Sequence, residues 1–200
     1  MTRGRMITIE GIDGAGKSTL AQGLAEAWPD AVLLREPGGV ALAERLRALV
    51  KDPDLPVEPR TEALLYAAAR AQLVAERLGP LIDAGRLVLV DRFVDSSLAY
   101  QGAARNLGLE AVRRLNEFAL AGLHPDRTVL LRLDPALRRA RIDGRGEATD
   151  RLESEADEFF ARVAQAYDAL AAEEPERWVV VDASRPADAV LAETLAALER

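Results

Sequence analysis

Cysteine is missing from this 200-residue chain, which excludes disulfides, thiolate nucleophiles and cysteine-held metals. Histidine occurs once, at His124 before Pro125 in what reads as a strand-entry loop, so neither a catalytic triad nor a His-rich metal site is expected. Positive charge is also short: 26 Lys and Arg stand against 33 Asp and Glu, a net charge of −7. That balance argues against a general binder of nucleic acid or anionic membrane, and we expect neither partner. No apolar run is long enough to cross a bilayer. The five-residue run after Arg3 and Arg5 is too short for a secretion signal, so a cytoplasmic location is the default expectation. Lysine is scarce, found only at Lys17 and Lys51. A lysine inside a motif is therefore less easily dismissed as filler.

What is present starts with Gly11-Ile12-Asp13-Gly14-Ala15-Gly16-Lys17-Ser18, which fits G-x-x-x-x-G-K-[ST], the phosphate-binding loop of nucleoside triphosphatases. A strand-like run, Met6–Glu10, precedes it and a helical pattern from Thr19 to Ala27 follows. The loop thus lies where a helix start offers free N–H groups and a positive dipole end to an anion. All eight residues, Gly11 to Ser18, are candidate ATP contacts. Lys17 is placed to reach the β- and γ-phosphates and Ser18 to ligate Mg²⁺.

At 49% hydrophobic residues the chain can bury a full core, and its length suits one domain. Further strands are expected at 31–34, 87–90, 128–133 and 178–182. Helices are expected over 41–50, 60–78, 95–103, 109–121, 153–173 and 186–199, with a kink at Gly79-Pro80. Five short strands alternating with helices predict an α/β fold: a five-stranded parallel sheet with helices on both faces and ligands beyond the strands' carboxyl ends. Leu87–Val90 reads as a central strand ending in Asp91-Arg92. An acidic residue there is the usual second half of a phosphate-loop site and makes Asp91 a catalytic and Mg²⁺-holding candidate, with a plain turn cap as the alternative. Arg35, after the second strand, falls on the same edge. Arg138, Arg139, Arg141, Arg145 and Arg151 crowd fourteen positions that Asp143-Gly144 and Gly146 interrupt. This reads either as a mobile flap over a phosphate chain or as a solvated helix face with internal ion pairs.

The residues point to a nucleoside triphosphate with Mg²⁺ and to a small acceptor. Phosphoryl transfer to an already ionised phosphate needs positioning and cations more than a general base, consistent with the scarcity of histidine. Two other readings remain: a kinase of another nucleotide or small metabolite, and a non-enzymatic ATP-binding sensor.

Several stretches resemble thymidylate kinases, in family order from residue 6 to about 185: Glu10–Thr19, Arg35-Glu36-Pro37-Gly38-Gly39, Leu64–Gln72, Asp91–Gly102 and Asp182-Ala183. The segment with Asp91-Arg92-Phe93, Ser97 and Tyr100-Gln101-Gly102 is the most specific of these. The resemblance implies the nucleoside monophosphate kinase type of phosphate-loop fold and transfer of the ATP γ-phosphoryl to thymidine monophosphate, for dTTP synthesis and DNA replication. It also implies a homodimer. By position it implies Tyr66 stacked on the thymine, Arg70 on the base edge, and Ser97 and Gln101 near the base. It likewise implies Tyr100 against the sugar, Asp13 on its 3′-hydroxyl, and Arg35, Arg47 and Arg92 on the acceptor phosphate. Gly14-Ala15 leave the loop without an arginine. The resemblance therefore implies that the lid, about residues 141–152, carries the catalytic arginine, with Arg141, Arg145 and Arg151 as candidates.

Overall fold

The computed structural model describes residues 3–144 and 150–199. Among these, five strands form one sheet: β1 (Arg5–Glu10), β2 (Val32–Arg35), β3 (Leu87–Asp91), β4 (Arg127–Arg132) and β5 (Trp178–Asp182). Every pairing is parallel and the order is β2-β3-β1-β4-β5. β1 holds the centre because its side chains are apolar on both faces. Met6 joins Val88, Val90, Leu73 and Phe93 in one apolar cluster, while Ile7 and Ile9 join Leu89, Leu20 and Leu24 in the other. This period-2 division between two clusters is what a parallel sheet covered on both faces requires. Truncating a fully buried residue such as Leu89 to Ala should cost about 2–5 kcal/mol.

Helices fill the crossovers: α1 (Lys17–Ala27), α2 (Ala41–Lys51), α3 (Pro59–Leu73), α4 (Gly79–Asp83), α5 (Val94–Ser97), α6 (Leu109–Leu120), α7 (Pro135–Asp143), α8 (Asp157–Glu173) and α9 (Ala187–Leu198). Pro59 and Pro135 occupy first-turn positions, where a missing N–H costs nothing. Asp134 caps α7, its carboxylate accepting the Ala136 N–H at 2.9 Å.

Two details depart from expectation. At Gly79-Pro80 the helix continues through a π-helical turn, Val74–Leu78, which links α3 to α4. The Gly79 N–H bonds to the Val74 carbonyl, and the wider turn gives the proline ring the room a regular helix denies. Gly85, at φ +77°, then closes the helix: its N–H bonds to Ile82 and that of Arg86 to Leu81, both at 3.0 Å. The last long helix starts at Asp157 rather than 153. Asp150 instead folds a turn, its carboxylate accepting the N–H groups of Leu152 and Glu153, each at 2.9 Å.

Candidate active site

The carboxyl ends of β1, β2 and β3 open into a cavity of about 620 Å³. The loop after β1 forms one wall. Gly11 is required by space, since a Cβ there would lie 2.6 Å from the Leu131 carbonyl oxygen. Gly16 has open space and is required by conformation, at φ +93° as the N-cap of α1. Asp13, Gly14, Gly16, Lys17 and Ser18 line the cavity, whereas Gly11, Ile12 and Ala15 lie behind them. Lys17 is buried and donates to the Ile12 carbonyl at 2.9 Å. Burial, then the Arg92 charge, lowers its pKa to about 8, against the pull of Asp13, Asp91 and Glu10.

Ser18 donates its hydroxyl to Asp91 Oδ2 at 2.7 Å, so the two expected metal ligands are adjacent. Both offer hard oxygens. No group of three or more His, Cys, Asp or Glu able to hold a metal occurs among the described residues. Such a pair suits Mg²⁺, which takes one or two protein oxygens and completes its shell with phosphate and water.

Arg92 follows Asp91 with a left-handed backbone (φ +69°), a conformation a non-glycine residue adopts at a cost of roughly 1–2 kcal/mol. Its N–H is held by the Ile9 carbonyl at 3.0 Å. The guanidinium bonds Asp13 at 2.5 Å, Tyr100 Oη at 3.2 Å, Ser96 Oγ at 3.1 Å and the Gly11 carbonyl at 3.1 Å. Tyr100 donates to the other oxygen of Asp13 at 3.1 Å. Burial alone would raise the Asp13 pKa, but Arg92, then Lys17, outweigh it and hold the carboxyl well below the usual range.

Arg35 and Arg47 close the side formed by β2 and α2. Arg35 is exposed and grips both oxygens of Glu44 at 2.9 and 3.0 Å, and Arg47 donates to the Pro37 carbonyl at 2.9 Å. Tyr66, Arg70, Ser97 and Gln101 line the same cavity from α3, α5 and a second π-helical segment, Leu98–Ala104. Arg70 is 1% exposed, and its guanidinium is fully engaged by the protein. Nε donates to Glu36 at 2.9 Å, Nη1 to Ser97 Oγ at 3.0 Å and to Asn116, and Nη2 to the Phe93 carbonyl at 3.0 Å. Glu36 is also buried, and among the described residues its second oxygen, Oε1, has no partner. Burial raises its pKa to about 7 even against the neighbouring Arg70.

The arginine-dense segment divides. Arg141 lines the cavity and donates to the Gly14 carbonyl at 3.4 Å and the Ala183 carbonyl at 2.8 Å, which puts it beside the phosphate loop. Arg145 lies outside the described residues. Arg151 is not among the residues lining the cavity; it packs on α2 and α3, donating to the Val50 carbonyl at 3.0 Å and to Glu62 Oε2 at 2.7 Å. Arg138 packs over the Phe160 ring and donates to the Glu153 carbonyl at 2.8 Å.

Sequence reasoning passed over Glu36 and Glu62. In the sequence Glu36 reads as part of the Arg35–Gly39 turn, and Glu62 as an ordinary first-turn acid of a helix. Their burial among arginines, together with their pocket-side neighbours, is what marks them.

Comparison with known proteins agrees across the chain. The family model described as "Thymidylate kinase" matches residues 9–194. Thymidylate kinase of Leifsonia xyli subsp. xyli is 50% identical over 195 residues, covering 95% of this chain and 92% of the relative. That of Deinococcus radiodurans is 48% identical over 202 residues, covering 99% and 98%. The crystal structure of thymidylate kinase from Ehrlichia chaffeensis superposes with a TM-score of 0.81 at 26% identity, over 99% of each chain.

Proposed function

The chain belongs to the thymidylate kinase family, and on that premise we propose how its residues share the transfer of the ATP γ-phosphoryl group to thymidine monophosphate. The reaction itself follows from membership: this is a nucleoside monophosphate kinase, a phosphotransferase with a phosphate acceptor. The assignment of roles rests on one observation, a single cavity lined by the phosphate loop on one side and by Tyr66, Arg70, Ser97 and Gln101 on the other.

In this reading ATP lies on the α1 side, its phosphates on the N–H groups of Gly11–Ser18 and on Lys17. Mg²⁺, held by Ser18 and Asp91 together with the nucleotide, would neutralise charge on the phosphate oxygens. Thymidine monophosphate lies on the β2–β3 side with its phosphate on Arg35, Arg47 and Arg92. Its base stacks on Tyr66 and faces Arg70, Ser97 and Gln101. Its sugar lies on Tyr100, with the 3′-hydroxyl on Asp13. An acceptor phosphate oxygen, already ionised, attacks the γ-phosphorus as the bond to the β–γ bridging oxygen breaks. No side chain has to take a proton, and the work is placement plus cationic charge. Arg141, beside Gly14, supplies a cation to the moving group. Residues 141–152 form the lid of a single kinase domain, and Arg145 and Arg151 are the other arginines it can bring.

The protein acts as a homodimer in the cytoplasm. Large apolar side chains left exposed on adjacent helices, Phe118 on α6 and Leu64 on α3, support the former. Consistent with the latter, no helix among the described residues is long and apolar enough to cross a membrane. A coupled assay with ATP, Mg²⁺ and a panel of monophosphates tests the whole reading. Thymidine monophosphate should lead in kcat/KM, and preference for uridine or guanosine monophosphate would overturn it.

A further inference from the structure

Glu62, in the first turn of α3, is completely buried, and four hydrogen bonds converge on it. Gln101 donates its amide Nε2 to Oε1 at 2.8 Å. Arg105 donates Nε to Oε1 at 3.3 Å and Nη2 to Oε2 at 3.2 Å, and Arg151 donates Nη2 to Oε2 at 2.7 Å. Guanidiniums have no acceptor, so both carboxylate oxygens are committed to receiving N–H groups. An amide can meet such an oxygen only with its NH₂. Turned over, Gln101 would set its carbonyl oxygen against a carboxylate oxygen in a buried site, losing one bond and leaving two acceptors opposed.

We propose that Glu62 fixes the hydrogen-bonding polarity of the base pocket by holding the Gln101 amide nitrogen, so that the amide oxygen is the face offered to the ligand. Gln101 lines the cavity, and no donor among the described residues occupies that oxygen. Ser97, also in the lining, accepts Arg70 Nη1 at 3.0 Å, which leaves its own O–H free to donate. The pocket thus presents an acceptor and a donor in the same wall. With Gln101 against the ring nitrogen and Ser97 against the adjoining carbonyl, that pair complements an imide edge, where a ring N–H sits beside a carbonyl, as in thymine. In the same pose cytosine would set a bare ring nitrogen against the amide oxygen and an amino group against the hydroxyl donor. Glu62 touches no substrate. It is a positioning residue that makes the site read the base as an imide, and the inference rests on the base lying at Gln101.

The test compares kcat/KM for thymidine monophosphate with that for 5-methyl-deoxycytidine monophosphate, which keeps the methyl group, sugar and phosphate and reverses the edge. The native protein should favour thymidine monophosphate by roughly 10³-fold or more, since a site built around a hydrogen bond strongly rejects the analogue lacking it. Glu62→Gln lets the Gln101 amide turn either way and should narrow that ratio by about tenfold, the scale of one hydrogen bond. Glu62→Asp keeps an acceptor-only partner and should retain the ratio. A general structural role, or a role through Arg151 alone, would lower both substrates alike and leave the ratio unchanged, which overturns the proposal. Should Glu62→Gln fail to fold, the native protein still decides: comparable turnover of 5-methyl-deoxycytidine monophosphate, or of thymidine monophosphate methylated at N3, overturns it. Gln101→Ala separates the two layers. If it leaves the ratio intact, the base is not at Gln101. If it collapses the ratio while Glu62→Gln does not, only the role of Glu62 is wrong.

Discussion

Ser18 and Asp91 lie 73 positions apart in sequence and 2.7 Å apart in space, hydroxyl to carboxylate. Their meeting follows from the parallel pairing of β1 with β3, which brings the ends of both strands to the same rim. Neither oxygen alone could hold a divalent cation against water, but two of them with a polyphosphate can. Asp91→Asn preserves the shape and removes the charge. We expect kcat to fall ~100-fold, with the activity shifted to higher Mg²⁺ concentration, read from a coupled assay titrated with the metal. Unchanged Mg²⁺ dependence would leave Asp91 a simple turn residue.

Lys17 gives a prediction about protons. With its pKa lowered to about 8, it is largely neutral at pH 8.5 when the loop is empty. A polyphosphate favours the ammonium form, so binding ATP at that pH should draw in up to about one proton. Calorimetry in two buffers of different ionisation enthalpy measures this directly. The uptake should vanish in Lys17→Met, whose kcat should also drop by roughly 10²–10³-fold. Proton release at pH 8.5, or an active Lys17→Met protein, would contradict the assignment.

Arg70 and Glu36 form a buried pair whose members cannot be removed singly without cost. Arg70→Ala strands the Glu36 carboxyl, and we expect a loss of about 3–5 kcal/mol in thermal or denaturant unfolding. Adding Glu36→Gln should recover part of that stability. Recovery of stability without recovery of thymidylate turnover would separate the structural work of Arg70 from the base contact proposed for it, while ATP affinity stays near native.

Glu36 should also leave a mark on stability against pH. Its folded pKa, about 7, lies above the ordinary value of 4.5, so the native state holds this proton more tightly than the unfolded chain. The contribution is therefore complete below about pH 4.5 and is lost as pH rises through 7, by an amount on the order of 3 kcal/mol. Unfolding curves for native and Glu36→Gln protein between pH 5 and 8 should converge in slope only if Glu36 is not the group responsible.

Phe118 is 90% exposed on α6, a poor place for a phenyl ring on a monomer. Light scattering should report a dimer for the native protein, and Phe118→Asp should shift it toward monomer without altering the far-ultraviolet circular dichroism spectrum.

Much of the fold could be read in the chain because the signals were local. A four-residue run such as Leu87–Val90 with an acid at its end has few alternatives, and the glycine spacing of Gly11–Ser18 specifies a backbone shape. What stayed hidden depends on partners distant in sequence. Arg70 on its own reads as a surface helix arginine. Only Glu36, Phe93 with Ser97, and Asn116, drawn from three other segments, turn it into a buried ion. Neither π-helical segment has a periodicity that distinguishes it from an α-helix over so few residues, yet one of them carries Tyr100 and Gln101. The bonds of Arg151 to α2 and α3 are likewise invisible in the sequence, where it simply follows the other arginines of its segment.

The strand order has a mechanical consequence. β1, bearing the phosphate loop, has β3 and β2 with their arginines on one flank, and β4, leading to Arg141, on the other. Neighbouring strands are spaced by about 4.8 Å, a distance that main-chain hydrogen bonding scarcely lets vary. With the two nucleotides placed as proposed, the sheet works as a ruler that sets how far apart the donor and acceptor anions stand. In that proposed placement, the gap the phosphoryl group must cross is graduated in strands.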